Sequence, residues 1–169
     1  MITDTLASRG IPPHPDLITW FGWHDGTDEP RSVQPAGGLM PADGNRLIGD
    51  LHLPGLDEAL VAHDHAIAGE LKVNPEPAHP WFYWPGWFPV LRFTDPWTVC
   101  IDTLGSAGPA GTLFVHDVGV DNDPPRVFFR SLSYLVDAVI ETYATGLVSP
   151  TEPLVDFTLV PPAAQPLAY

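Results

Sequence analysis

The chain has 169 residues, a length that fits one domain, and 44% of them are hydrophobic, which is enough for a buried core. Its 21 acidic and 7 Lys or Arg side chains give a formal net charge of -14. This balance argues against direct binding of nucleic acid or anionic membranes, because phosphates need cations opposite them, and it favours a basic protein partner.

The N-terminal half is predicted to contain two helices separated by a long loop. Residues 15–23 have apolar side chains at helical spacing, and Pro15 suits the first turn. Residues 25–45 are rich in Gly, Pro and Asp without any period, which predicts the loop. An apolar stripe from about Leu56 to Leu71 predicts the second helix.

The middle of the chain contains short runs of β-branched and aromatic residues bounded by Gly, Pro or Asp, and such runs predict strands. They cover residues 88–93, 96–102 and 111–117, and residues 126–130 are either a fourth strand or a lead-in to the following helix. Because the segments between them are short, we expect neighbouring strands to pair antiparallel.

The C-terminal part contains the clearest helical pattern, residues 131–146, with Ser131 as N-cap and Gly146 as the stop. Residues 154–160 are a candidate edge strand. The order of elements predicts an α+β domain over residues 1–146, with four to six largely antiparallel strands and helices packed around them. Residues 147–169 are predicted to be a C-terminal extension.

The stretch WFYWPGWFPVLRF, residues 81–93, concentrates seven aromatic side chains in thirteen positions. Core packing is the main interpretation for Trp84 and Trp87, since each buried aromatic ring removes a large area from water. The front of the stretch, residues 81–83, follows a proline-rich connector and is expected to be partly exposed. A groove for a carbohydrate or a peptide remains an alternative, whereas a platform for single-stranded nucleic acid would need more cations.

Motifs for catalysis or metal binding are weak. Cys100 lies within a predicted strand, so a buried thiol is expected. His63 and His65 are two residues apart on a predicted helix, so they point in different directions and do not share a metal. We expect no catalytic residue, metal or cofactor. A small enzyme that uses carboxylates or His116 remains the alternative.

The sequence predicts a cytoplasmic protein. A single cysteine allows no intramolecular disulfide, and the N-terminus lacks the basic and apolar regions of a secretory signal. No run reaches the roughly 20 apolar residues of a membrane span.

A series of short motifs follows one order along residues 12–145. They are Pro15-Asp16-Leu17, Trp23-His24-Asp25-Gly26, the LHLPGLDEAL segment with Leu56, Glu58 and Ala59, WFPVL over 87–91, VCID over 99–102, GTLFVHD over 111–117 and SLSYLV over 131–136. In this order and spacing the chain resembles the SUKH superfamily, the domain of fungal Smi/Knr-type cell-wall assembly regulators and of many bacterial toxin-immunity proteins. Residues 147–169 extend past the usual end of that domain.

The resemblance implies an α+β domain that binds proteins, often a cognate toxin, and has no conserved catalytic set. We therefore expect a non-catalytic immunity protein that occludes a basic toxin domain such as a nuclease. A regulatory scaffold of the Smi/Knr type is the alternative, and the oligomeric state is open. The candidate partner-binding residues are the acidic Asp25, Asp28, Glu29, Asp121 and Asp123 and the aromatic Trp81 and Tyr83.

Overall fold

The computed structural model describes residues 1–24, 46–48, 51–75, 82–92, 97–117 and 126–145. The helices in these ranges are α1 (Ile2–Ser8), α2 (Pro15–His24), α3 (Leu56–Val73) and α4 (Leu132–Thr145). The strands are β1 (Arg46–Ile48), β2 (Leu51–His52), β3 (Trp87–Arg92), β4 (Trp97–Asp102), β5 (Leu113–Asp117) and β6 (Arg126–Phe129). The loop predicted over residues 25–45, the extension over 147–169 and its candidate strand over 154–160 lie outside the described residues.

The strands form one antiparallel sheet in the order β1-β2-β3-β4-β5-β6. Its body is β3 to β6, in which Val99 on β4 is paired with Leu91 on β3 and with Val115 on β5. The short β1 and β2 extend it at the β3 edge, where β2 and β3 are paired through His52 and Arg92. The predicted α+β class and the antiparallel pairing are confirmed.

Local residue preferences explain where α4 and β5 begin. The backbone N–H of Tyr134 donates to Ser131 Oγ over 3.4 Å, so Ser131 caps α4 as predicted. β5 begins at Leu113, two residues later than predicted, because Gly111 adopts φ +92° within the preceding turn. α1 was not predicted, and its one buried residue, Leu6, anchors it to the core.

Both faces of the sheet are buried. Val99 and Ile101 lie on one face with side chains from all four described helices, whereas Cys100 faces the other side. The main core contains, among others, Leu6, Leu17, Phe21, Leu60, Phe88, Ile101, Leu113, Phe129, Leu135 and Ala138. The second cluster contains Tyr83, Trp87, Cys100 and Phe114, with the partly buried Ile67 and Trp84 against it.

A buried carboxylate fixes the connection between β4 and β5. Asp102 at the end of β4 accepts hydrogen bonds from the backbone N–H groups of Leu104 (3.1 Å) and Ala107 (2.7 Å) and from Ser106 Oγ (3.2 Å). Gly86 packs directly on this turn, and its carbonyl accepts the Thr103 N–H over 2.7 Å. This hydrogen bond links the residue before β3 to the residue after β4, at the end of the sheet where the aromatic segment leads into β3.

Within the described residues, none of the helices combines the length and apolar character needed to cross a membrane.

Replacement of Gly86 by alanine is expected to destabilise the fold by about 1–3 kcal/mol, measured by urea unfolding. A Cβ at position 86 would collide with the Asp102 carboxylate and would lie 2.9 Å from both Leu104 Cβ and Ser106 Oγ. Backbone shifts on both sides would be needed to relieve this overlap.

Gly69→Ala provides the matched control. A Cβ at position 69, inside α3, meets nothing within 4 Å. Alanine is the better helix former, so this variant is expected to gain about 1 kcal/mol. Equal stability of Gly86→Ala and the wild-type protein would contradict the close contact at position 86.

Candidate functional site

An open apolar groove of about 500 Å³ lies between α2 and α4. Its apolar lining consists of Trp20, Trp23, Leu132, Val136, Val139 and Ile140. Its polar lining consists of Asp16, Thr19, Ser133 and Asp137. Trp20, Leu132 and Val139 in this lining are also core residues, whereas Trp23 and Ile140 are exposed.

Two large apolar side chains of the groove lining are mostly in solvent. Trp23 on α2 is 65% exposed and Ile140 on α4 is 60% exposed, whereas Trp20 and Val139 in the same lining are buried. Single exposed apolar residues are ordinary, but several that border one concave surface are typical of an interaction site.

Helical spacing explains why these residues share one surface. Trp20 and Trp23 are three residues apart on α2, while Leu132, Val136 and Ile140 recur every four residues on α4. Leu132 and Val139 belong both to the core and to the groove lining, whereas Ile140 belongs to the lining alone. The apolar arc of α4 therefore continues from the core out to solvent.

Hydrogen bonds hold the α2 wall of the groove in place. Trp20 Nε1 donates to the carbonyl oxygen of Val90 on β3 over 3.2 Å. The His24 ring nitrogens lie 2.6 Å from the Trp20 carbonyl oxygen and 3.1 Å from that of Pro54, just before α3. The Trp23 ring lies 5.7 Å from the Trp20 ring, centroid to centroid. This wall is preorganised, which lowers the entropic cost of binding.

The charged groups that line the groove are both acidic. Asp16 belongs to α2 and Asp137 to α4, so a carboxylate lies on each wall. Elsewhere, Arg9 pairs with Asp64, and Arg92 Nη1 lies 2.7 Å from Glu58 Oε1. These two arginines thus pair with acids outside the groove, and the charged residues of the groove lining are negative only.

The second aromatic cluster contains titratable groups that burial keeps neutral. Cys100 Sγ donates to Tyr83 Oη over 4.0 Å, and Tyr83 Oη donates to the Trp87 carbonyl oxygen over 2.9 Å. Burial raises the pKa values of the Cys100 thiol and of the Tyr83 phenol far above their usual ranges. This disfavours a thiolate nucleophile at Cys100, in agreement with the buried thiol that the sequence predicts.

His116, the histidine of the enzyme alternative, belongs to the same buried cluster. Its ring lies 5.0 Å from the Tyr83 ring, and it is 7% exposed. Burial lowers its pKa to about 4, against the opposing effects of Asp117 and Glu70. Burial also lowers the pKa of His63, beside the same tyrosine. Both imidazoles are neutral at pH 7.

Tyr83 is a core residue, so the expectation that it is partly exposed and contacts a partner is wrong. It is 2% exposed. The physical reason is the buried carboxylate of Glu70 on α3, whose Oε2 accepts the backbone N–H groups of Phe82 (2.8 Å) and Tyr83 (3.1 Å). These hydrogen bonds draw the aromatic segment against α3.

The other sequence-predicted partner-binding residues lie outside the described residues. They are Asp25, Asp28, Glu29, Trp81, Asp121 and Asp123.

Sequence reasoning missed the groove, although its components were visible in the two neighbouring tryptophans of α2 and the broad apolar arc of α4. It also missed Glu70. The sequence could have indicated its burial, because Glu70 shares the helical spacing of His63 and Ile67 on the buried side of α3.

Among the side chains that the structure describes, no three His, Cys, Asp or Glu residues are grouped so that they could hold a metal ion. Comparisons of the chain with protein-family models, with curated proteins and with solved structures found no match.

Acidification is expected to destabilise the folded state through His116. The folded-state pKa of about 4 lies below the ordinary value of 6.5, so between these values the unfolded chain binds more protons. Stability is therefore retained above pH 6.5 and lost as the pH falls toward 4. His116 alone should remove about 2 kcal/mol between pH 7 and pH 5.

His116→Phe, which keeps a ring beside Tyr83, isolates this effect. Urea unfolding across that pH range should give a shallower loss of stability in the variant, with His63 contributing a remaining loss of the same sign. Identical pH profiles for the variant and the wild type would show that His116 is not protonated differently in the two states.

Proposed function

We propose that this protein is a non-catalytic protein-binding module of the SUKH type, a cytoplasmic immunity protein that neutralises a cognate toxin by occluding it. The observation that carries the proposal is the apolar groove between α2 and α4 with a carboxylate on each wall. The motif order along residues 12–145, which resembles that of the SUKH superfamily, supports the family part of the proposal.

The groove has the composition expected at the centre of a protein interface. Specific interfaces place a few aromatic or aliphatic anchors at their core and surround them with polar groups. Trp23 and Ile140 supply exposed apolar area, and Thr19 and Ser133 supply hydrogen-bonding groups at its border. Trp23 has the greater potential as an anchor, because tryptophan is enriched among residues that dominate binding energy.

Charge supports a basic partner. The net charge of -14 raises the encounter rate with a positive surface, and the carboxylates of Asp16 and Asp137 orient that surface at the groove. A nuclease toxin fits this description, since its cleft must be positive to bind phosphates. We also assign the acidic loop residues to this contact; Asp25, for example, follows directly after α2 in sequence.

Neutralisation of a toxin tests the function directly. A candidate toxin domain, sought among the genes adjacent to the one for this protein, would be expressed in a heterologous host with and without this protein. Restored growth, together with a purified complex of the two proteins, is the expected result. Full toxicity and no complex would overturn the immunity role. A change in the growth of cells that express this protein but no toxin would favour the scaffold role.

The affinity of the purified complex is expected to fall at least tenfold when the salt concentration rises from about 50 mM to about 500 mM, because salt screens exposed charges. The loss should appear mainly as slower association in stopped-flow measurements, since electrostatic steering acts on the encounter. Association that is equally fast at both salt concentrations would contradict an electrostatic role for the acidic surface.

A further inference from the structure

We propose that the occupant of the α2–α4 groove is an amphipathic helix of the partner protein, with an apolar stripe flanked on both sides by Lys or Arg. The identity of that partner as a toxin rests on the function proposed above. The shape and charge of the groove support the helix independently.

The shape of the groove favours a helix over an extended strand. Its walls are helices of 10 and 14 residues, about 15 and 21 Å long, and neither wall offers a free strand edge for backbone pairing. On α4, the exposed Ile140 and the partly buried Val136 continue a four-residue apolar repeat from the buried Leu132, and a stripe of this period is complementary to the i, i+3, i+4, i+7 stripe of a partner helix.

The carboxylates define the flanks of that helix. Asp16 and Asp137 lie on opposite walls, so both edges of an apolar stripe seated between them would face negative charge. Cations on both sides of the stripe neutralise these carboxylates, whereas an acidic helix would be repelled.

Charge also disfavours the two other occupants that the chain itself could supply. A second copy would bring another molecule of net charge -14 to an acidic groove. The chain beyond α4, residues 146–169, has an apolar segment but carries Glu152 and Asp156 and contains no Lys or Arg. A basic helix from a different protein is the complementary occupant.

A synthetic peptide provides the probe. It has about four helical turns, leucines at i, i+3, i+4 and i+7, and lysines at the remaining positions, and its binding to the full-length protein is followed by fluorescence anisotropy of a terminal dye. Saturable binding is expected, at least tenfold tighter than that of a scrambled peptide of identical composition. A peptide with glutamate in place of lysine should not bind.

Variants of the protein locate the site. Trp23→Ala and Ile140→Ser should each weaken binding about tenfold. Leu104→Ser and Val61→Ser are the matched controls, since each removes an apolar residue that is 55% exposed outside the groove, and they should leave the affinity unchanged.

Charge reversal tests the carboxylates: Asp137→Lys should weaken binding, and Asp57→Lys, on α3, should not. Unchanged circular dichroism and thermal midpoints would verify that each variant folds.

Three results would overturn the helix proposal. One is equal binding of the scrambled peptide, and another is equal binding to the groove variants and their controls. The third is occupation by the chain itself. It would be shown by a dimer that Trp23→Ala dissociates in sedimentation experiments, or by a tenfold gain in peptide affinity when Phe157→Asp is introduced in the 146–169 segment.

The toxin assay separates this proposal from the proposed function. If Trp23→Ala and Ile140→Ser neutralise the toxin with undiminished affinity, the groove is not the contact surface, although the immunity role stands. If the peptide binds in the groove as expected but no toxin is neutralised, the immunity role fails and the helix-binding groove remains.

Discussion

Burial of both faces of the sheet is the constraint on which the rest of the molecule depends. Val99, Cys100 and Ile101 follow one another along β4, and all three side chains are fully buried although they alternate between faces. The described helices contribute to the core on the face of Val99 and Ile101. The aromatic segment that includes Tyr83 and Trp87 packs with Cys100 on the other. This division explains why so much aromatic area is concentrated in one short stretch: it builds a second core.

The groove follows from the way the helices are placed over the first core. A helix needs only one side to cover a sheet, and Leu17 with Phe21 on α2 and Leu135 on α4 serve that purpose. Trp23 and Ile140 lie beyond this contact, yet they are as apolar as core residues. Exposed in both the folded and the unfolded chain, they add nothing to folding stability, but together with the groove they form a concave apolar surface of the kind that is typical of interaction sites.

Sequence patterns predicted the elements whose signals are local. α2, α3 and α4 have apolar side chains at helical spacing, Ser131 caps α4, and the strands β3 to β6 are bounded by turn residues. α1 was missed because its seven residues have a single buried side chain and little period. Tyr83 was misplaced because its burial depends on hydrogen bonds from its segment to Glu70, thirteen residues away. The groove brings together residues of α2 and α4 that are more than 100 positions apart in sequence, and no local sequence pattern predicts that two such distant helices are neighbours.

The distribution of polar groups leads to the same interpretation as the apolar surface. Inside the fold, Glu70 and Asp102 direct their carboxylates to backbone amides, while Tyr83, Cys100 and His116 are held neutral by burial. These groups hold chain segments in position, and their titratable atoms are buried away from solvent. At the groove, by contrast, the carboxylates border exposed apolar side chains. A surface of this kind offers charge and hydrophobic area together, which is what recognition of a basic amphipathic helix requires. In the proposed complex, specificity would come from the placement of Asp16 and Asp137 on opposite walls, because their positions would select which cations on a partner helix can be neutralised.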